Sequence, residues 1–253
     1  MNEVSDALAT VNLCKNFGAL PVVVDVDFHL PHGCRHALIG PNGSGKTTMI
    51  NLLGGALAPT SGKIFLDGTD ITSETADQRV ARGLTRTFQI NTLFPRLTPI
   101  EAVTMVVAQR RGIGASLWRS LKRSHEAIDE AYEVLTQLHL AEDCDRPTAQ
   151  LAYGRQRLLE IALALAARPK VLLLDEPAAG VPQQQSGEIL AVISALPDDI
   201  AVLFIEHDID LVFRFAERIT VLVAGKILCE GTPAEIAADP EVRRIYLGDE
   251  VHA

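Results

Sequence analysis

Gly40-Pro41-Asn42-Gly43-Ser44-Gly45-Lys46-Thr47-Thr48, entered from the run Arg35 to Ile39, decides the fold of this chain. Glycines at this spacing let consecutive backbone N–H groups converge on phosphate oxygens. Lys46 is placed to reach the β- and γ-phosphates of a nucleotide and the Thr47 hydroxyl to ligate Mg²⁺, while a helix starting at Lys46 adds favourable partial charge. The spacing predicts that helix over Lys46 to Leu57, stopped by Pro59-Thr60-Ser61-Gly62. A glycine-rich turn that binds no nucleotide has no reason to place both the lysine and the threonine.

Outward from the loop, Val171-Leu172-Leu173-Leu174-Asp175-Glu176-Pro177 reads as a buried parallel strand that ends in two carboxylates. Asp175 then emerges at the strand's carboxyl edge, where α/β sheets place ligands, and can share the Mg²⁺ shell with Thr47. Glu176 can accept the proton of an attacking water. A second apolar run, Ala201 to Ile205, leads into Glu206-His207-Asp208, so that His207 can donate to a γ-phosphate. Gln89, after Phe88, reads as a contact to Mg²⁺ or water, and Phe17, before Gly18, reads first as a core side chain and second as a ring for stacking on adenine. In Leu151-Ala152-Tyr153-Gly154-Arg155-Gln156-Arg157, Gly154 permits close backbone approach and the following helix points its first amides at an anion.

Between these motifs the chain alternates helix and strand as a parallel sheet requires. Residues Ala7 to Ile39 read as an antiparallel hairpin region, Lys63 to Leu66 and Leu84 to Gln89 as strands, and Ile219 to Val223 with Ile227 to Cys229 as a hairpin about Gly225-Lys226. From Pro95 to Arg146 the pattern turns helical, with Ile128, Tyr132, Leu135 and Leu138 on one face, and short helices are expected from Pro233 and Pro240. Arg110, Arg111, Arg119, Lys122 and Arg123 surround a loop marked by Gly112, Gly114 and Ser116; a solvated face is the first reading of that cluster and contact with lipid or a membrane subunit the second.

Composition sets the outer bounds. With 253 residues, 47% hydrophobic and 22% charged, the chain can bury one sizeable α/β core. A net charge of −9 without a basic face disfavours nucleic acid. Cys14, Cys34, Cys144 and Cys229 lack the close spacing of zinc or redox pairs and are expected as free thiols in a reducing compartment. The start, Met1 to Asp6, has no signal-peptide pattern, and no window approaches the roughly 20 apolar residues of a membrane span. A cytoplasmic chain that meets the membrane only through a partner is the expectation.

Taken in order, these residues resemble the nucleotide-binding subunit of an ATP-binding cassette (ABC) transporter over nearly the whole chain. The resemblance implies an α/β, P-loop NTPase (RecA-like) core with an antiparallel β sub-domain and an inserted helical sub-domain. It divides the single ABC ATPase domain 1–253 into a core of 1–89 and 169–253 and a helical part of 90–168. Phe17 matches the adenine-stacking aromatic, Gly40 to Thr48 the Walker A loop, Gln89 the Q-loop, Leu151 to Gln156 the signature, Asp175 and Glu176 the Walker B pair, and His207 the switch histidine. ATP and Mg²⁺ are the implied cofactors. Lys46, Gln89, Glu176 and His207 are the implied catalytic residues, Thr47, Gln89 and Asp175 the metal contacts, and Tyr153, Gly154, Arg155 and Gln156 contacts to a nucleotide held by a facing subunit.

Ala152 and Tyr153 replace the usual serine and glycine of the signature, and Pro182 stands where the D-loop usually has Asp or Asn. Leu151-Ala152-Tyr153-Gly154, Glu176-Pro177-Ala178-Ala179-Gly180, Ile205-Glu206-His207-Asp208 and Tyr246-Leu247-Gly248 are similar to ATPase subunits of branched-chain or hydrophobic amino-acid importers. Urea or amide import and lipopolysaccharide export share parts of this pattern, and a soluble ABC ATPase outside transport is a further alternative. The implied partners are transmembrane permease subunits docking near Gln89 and Asn91 to Thr104, a second ATPase subunit and, indirectly, a solute-binding protein, at the cytoplasmic face of the membrane.

Overall fold

A computed structural model describes residues 6–87, 93–113 and 125–247, the side chains of Gln183 and Gln184 excepted. In chain order the elements are β1 (Asp6–Phe17), β2 (Leu20–Pro31), β3 (Arg35–Ile39), α1 (Lys46–Leu53), β4 (Ser61–Leu66), β5 (Thr69–Asp70), α2 (Ala76–Ala81), β6 (Leu84–Arg86), α3 (Pro99–Arg110) and α4 (His125–Gln137). They continue as α5 (Tyr153–Ala166), β7 (Val171–Asp175), α6 (Gln183–Ser194), β8 (Ala201–Ile205), α7 (Ile209–Phe215), β9 (Arg218–Val223), β10 (Lys226–Gly231), α8 (Pro233–Ala238) and α9 (Pro240–Leu247).

Two sheets result. The antiparallel one has the order β2-β1-β4-β5, and the other the order β10-β9-β3-β8-β7-β6, parallel except for the β9–β10 hairpin. Strand alternation explains how the second sheet is covered on both faces. Ala37, Ile39, Leu172, Leu174, Val202, Phe204, Ile219 and Val221 join the core beneath α3, α4, α5 and α6, and their strand neighbours Leu38, Val171, Leu173, Leu203, Ile205 and Leu222 join a second core with α1 and the antiparallel sheet. The helical stretch therefore shares its core with the sheet rather than closing on a core of its own.

Local sequence fixes several helix starts. Thr75 with Gln78, Thr98 with Glu101 and Thr232 with Glu235 form reciprocal capping boxes, and Pro99 and Pro233 stand in the first turns they begin.

Two expectations need correcting. Helix α1 ends at Leu53 rather than Leu57, because Gly54 caps it and the guanidinium of fully buried Arg79 takes the carbonyls of Leu52 and Leu53, both at 2.6 Å. On α4, Tyr132 is exposed; the buried stripe is Ala127, Ala131, Leu135 and, past the helix, Leu138. Of the basic cluster, Arg110 pairs with Glu130 and Arg111 with Glu126 and Glu130, whereas Gly114, Ser116, Arg119, Lys122 and Arg123 lie outside the described residues. All four cysteines are free thiols, and no described helix is long and apolar enough to cross a membrane.

Strand β3 carries a buried histidine. The His36 ring packs edge-on against Phe28 and its Nε2 meets the Thr220 hydroxyl at 2.7 Å, which in turn donates to Glu230. Burial lowers the His36 pKa from 6.5 to about 4, with Glu230 opposing and Arg218 reinforcing the shift. The neutral ring is thus the folded form: its contribution is complete above pH 6.5 and lost as the pH falls from 6.5 towards about 4, on the order of 3 kcal/mol in all. Thermal unfolding followed across that window should show a slope that His36→Gln flattens; an equal slope in both proteins would contradict the assignment. Arg79→Met, which leaves the last carbonyls of α1 unpaired, should lower urea-unfolding stability by about 3 kcal/mol, and a change within ~0.5 kcal/mol would remove Arg79 from this role.

Candidate active site

Parallel pairing sets the geometry of the site. Leu38 on β3 and Asp175 on β7 both pair with Ile205 on β8, so the three strands end together and their exits share one sheet edge. From β3 the chain enters the loop Gly40 to Gly45, from β7 it delivers Asp175 and Glu176, and from β8 it runs on through Glu206 to His207.

The loop is shaped from behind by other backbone. Gly45, at φ +102°, precedes α1, and a Cβ there would lie 2.7 Å from the Val22 carbonyl oxygen. Ser44 accepts from Gly225 N–H at 3.0 Å, and Met49 N–H returns to the Gly45 carbonyl. The Ser44 hydroxyl is buried and makes no hydrogen bond among the described residues, an orphan inside a cradle of backbone amides. Lys46, the first residue of α1, is buried and its Nζ donates to Gly40 O at 2.7 Å and Pro41 O at 3.2 Å. Desolvation lowers its pKa, and the nearby Glu176 and Asp175 carboxylates oppose that. Pro41, Asn42, Gly43 and Thr47 are exposed, and Thr48 is half-buried. A cationic head beside an unpaired hydroxyl and free loop amides fits a polyphosphate.

Glu176 has φ +52°, a conformation a non-glycine residue seldom adopts, and its N–H is held by the Ile205 carbonyl at 3.1 Å. That turn separates its carboxylate from Asp175 and brings it to His207, with Nε2 and Oε1 2.5 Å apart. Both side chains are about half exposed. Two residues behind this pair were not singled out by sequence reasoning. Buried Glu206 accepts from Ala178 N–H at 2.9 Å and His207 N–H at 3.3 Å, stapling the turn after Glu176 to the strand exit that carries His207; its own pKa is raised by burial, against those two bonds. Arg86, at the end of β6, donates to Asp175 Oδ2 at 2.9 Å and to the Asn51 side chain. A charged residue directly after the apolar run Ala201 to Ile205 is the only sequence signal for Glu206, and Arg86, inside the run read as a strand from Leu84 to Gln89, carries none.

Tyr153, Gly154, Arg155 and Gln156 open α5 and form a second cluster, joined to the first by no hydrogen bond or ion pair among the described residues. The Ala152 cap gives α5 no side-chain acceptor, which leaves its first amides available. Gly154 is buried beside Val181 and Gln185, and a Cβ on Gly180 would lie 3.0 Å from the Tyr153 hydroxyl oxygen. Arg157 donates to that hydroxyl at 3.2 Å and pairs with Glu160 at 3.0 Å. Arg155 and Gln156 are committed to the segment before the helix: Arg155 to Asp143 and the His139 carbonyl, Gln156 to the Leu151 and Thr148 carbonyls. Phe17 stands apart, 49% exposed with Lys15 Nζ 5.3 Å from its ring centre. Gln89 lies outside the described residues.

Comparison with known proteins gives matches over most of the chain. Residues 23–179 match the family model described as ABC transporter, and residues 226–252 match one described as branched-chain amino acid ATP-binding cassette transporter. The chain is 37% identical over 251 residues to BraF of Pseudomonas aeruginosa, a high-affinity branched-chain amino acid transport ATP-binding protein, covering 96% of this chain and 98% of BraF. A crystal structure of the ADP conformation of an ABC transporter's ATP-binding cassette is similar at a TM-score of 0.83 and 30% identity, covering 96% of this chain and 99% of that one. The dimeric structure of a bacterial ABC transporter cassette is similar at 0.75 and 26%, covering 89% and 98%. With a phosphate loop, a carboxylate pair and a histidine at one sheet edge, and with matches of this extent, the chain belongs to the ABC transporter family as one of its ATP-binding ATPase subunits.

Proposed function

We propose that the chain is the motor of an importer for branched-chain or other hydrophobic amino acids, hydrolysing ATP between two facing subunits. The observation that carries the catalytic part is the contact of Glu176 with His207 at the sheet edge that also holds Lys46 and Asp175. Glu176 is the general base for the attacking water, and His207 orients it and donates towards the γ-phosphate. Lys46 and the loop amides from Gly40 to Thr48 neutralise the phosphates, and Phe17 takes the adenine. The amino-acid cargo rests on the likeness to BraF and on the second family match.

Mg²⁺ fits the oxygen donors. Thr47 offers an exposed hydroxyl and Asp175 a carboxylate of which Arg86 engages one oxygen, and no described cluster of three His, Cys, Asp or Glu competes as a closed metal cage. So few protein ligands suit an ion that keeps waters and phosphate oxygens, and the bound ion supplies charge neutralisation at the β- and γ-phosphates.

The free amides at the start of α5, beside buried Gly154, are the face offered to the partner's γ-phosphate, and ATP thereby joins two subunits. Permease subunits dock near Gln89 and Asn91 to Thr104; Leu93 of that segment lines a cavity of about 250 Å³ together with Gly54, Val80, Val106, Arg86 and Glu160.

Glu176→Gln should lower phosphate release at least ~100-fold while ATP binding persists and a dimer accumulates on size-exclusion chromatography; wild-type turnover would dismiss Glu176 as the base. In proteoliposomes with the co-purifying membrane subunits and solute-binding protein, ATP should drive uptake of labelled leucine. Uptake of urea but not leucine would overturn the amino-acid cargo, and recovery of the chain with ribosomes and no membrane protein would overturn the transport reading.

A further inference from the structure

Arg86 belongs to none of the motifs, yet its guanidinium bridges the two elements that carry the proposed metal ligands. One nitrogen donates to Asp175 Oδ2 on β7 at 2.9 Å, and the other donates to the Asn51 side chain on α1. Asn51 stands one helical turn after Thr47, on the same face of α1. The arginine side chain is 18% exposed and the Asp175 side chain 13%, so the pair is shielded from water and interacts more strongly than a surface pair.

Its backbone and stem are fixed as well. Arg86 is in parallel register with Leu173, and the next residue, Thr87, donates to the Leu173 carbonyl at 3.0 Å. The stem lies against the end of α1, where a Cβ on Gly54 would sit 3.4 Å from Arg86 Cδ. Anchored in this way, the planar fork can set the angle of one carboxylate relative to one helix. A lysine, with a single point of charge, cannot reach both acceptors in the same manner.

We infer that Arg86 is a positioning residue for the ATPase reaction, holding Asp175 by one oxygen so that the other is presented to the metal, and thereby setting the metal affinity of the site. The alternative is a plain structural tie between β6 and α1. A tie predicts lost stability with unchanged metal affinity; positioning predicts weakened metal binding even where the fold is intact. The inference rests on the proposed role of Asp175 and Thr47 as metal contacts.

The test uses the full chain with ATP and Mn²⁺ as a paramagnetic probe, free Mn²⁺ being read by electron paramagnetic resonance. Arg86→Gln and Arg86→Lys are compared with the parent, alongside thermal unfolding and fluorescent-nucleotide binding in EDTA. Arg86→Gln should weaken Mn²⁺ binding about ten-fold, Arg86→Lys by less, with metal-free nucleotide affinity within about two-fold of the parent. Should Arg86→Gln fail to fold, Arg86→Lys and Asn51→Ala carry the same comparison, each expected to weaken Mn²⁺ binding. Unchanged or tighter Mn²⁺ binding in folded variants overturns the role of Arg86 alone. A parent that binds no Mn²⁺ with the nucleotide overturns the metal assignment of Asp175, and this inference with it.

Discussion

The structure depends on the register of three parallel strands. Because β3 and β7 both pair with β8 through Ile205, the phosphate loop, the carboxylate pair and His207 leave the sheet at one edge. A change of register by one residue would turn the inward and outward faces of a strand over, sending Leu172, Leu174, Val202 and Phe204 into the wrong core. Hydrophobic burial on both faces thus holds the alignment that the chemistry needs. The polar groups at the edge, including the left-handed turn at Glu176 and the unpaired Ser44 hydroxyl, are supported by it.

Much of this was legible in the residues. The loop from Gly40 to Thr48 carries its chemistry in one contiguous stretch, and the runs before Asp175 and Glu206 are apolar throughout, the mark of strands buried on both faces. What escaped was carried by long-range contacts. The pairing of Arg86 with Asp175 spans 89 residues and that of Glu206 with Ala178 spans 28, and spacing in one chain does not announce either. Helix α1 is shorter than its sequence pattern implies because its end is set by Arg79, 26 residues past Leu53. Tyr132 faces outward although its spacing suggests otherwise, because small residues are weak periodic signals: Ala127 and Ala131 belong to the buried stripe on α4.

The family departures look different once contacts are seen. With Ala152 and Tyr153 in the signature, the tyrosine ring lies over Gly180, whose φ of +79° and absent side chain make room for it, and Arg157 bonds the tyrosine hydroxyl and pairs with Glu160. Pro182 caps α6 with a backbone suited to a helix start, next to Val181, which packs beside Gly154. The start of α5 and the segment after Glu176 are therefore fastened to each other within one chain, by a ring, a guanidinium and a glycine rather than by a serine or aspartate.

In the proposed mechanism each ATP is split between two facing ATPase subunits, the second a copy or a paralogue of this chain, and pairing of the purified chain with itself completes the site. Phosphate release by the purified chain in Mg²⁺ and saturating ATP, measured over a hundred-fold range of protein concentration, tests this directly. Specific activity should rise with concentration and level off as dimers fill, with no release when Mg²⁺ is chelated. A specific activity that stays constant down to concentrations at which sedimentation finds only monomers would contradict the shared site.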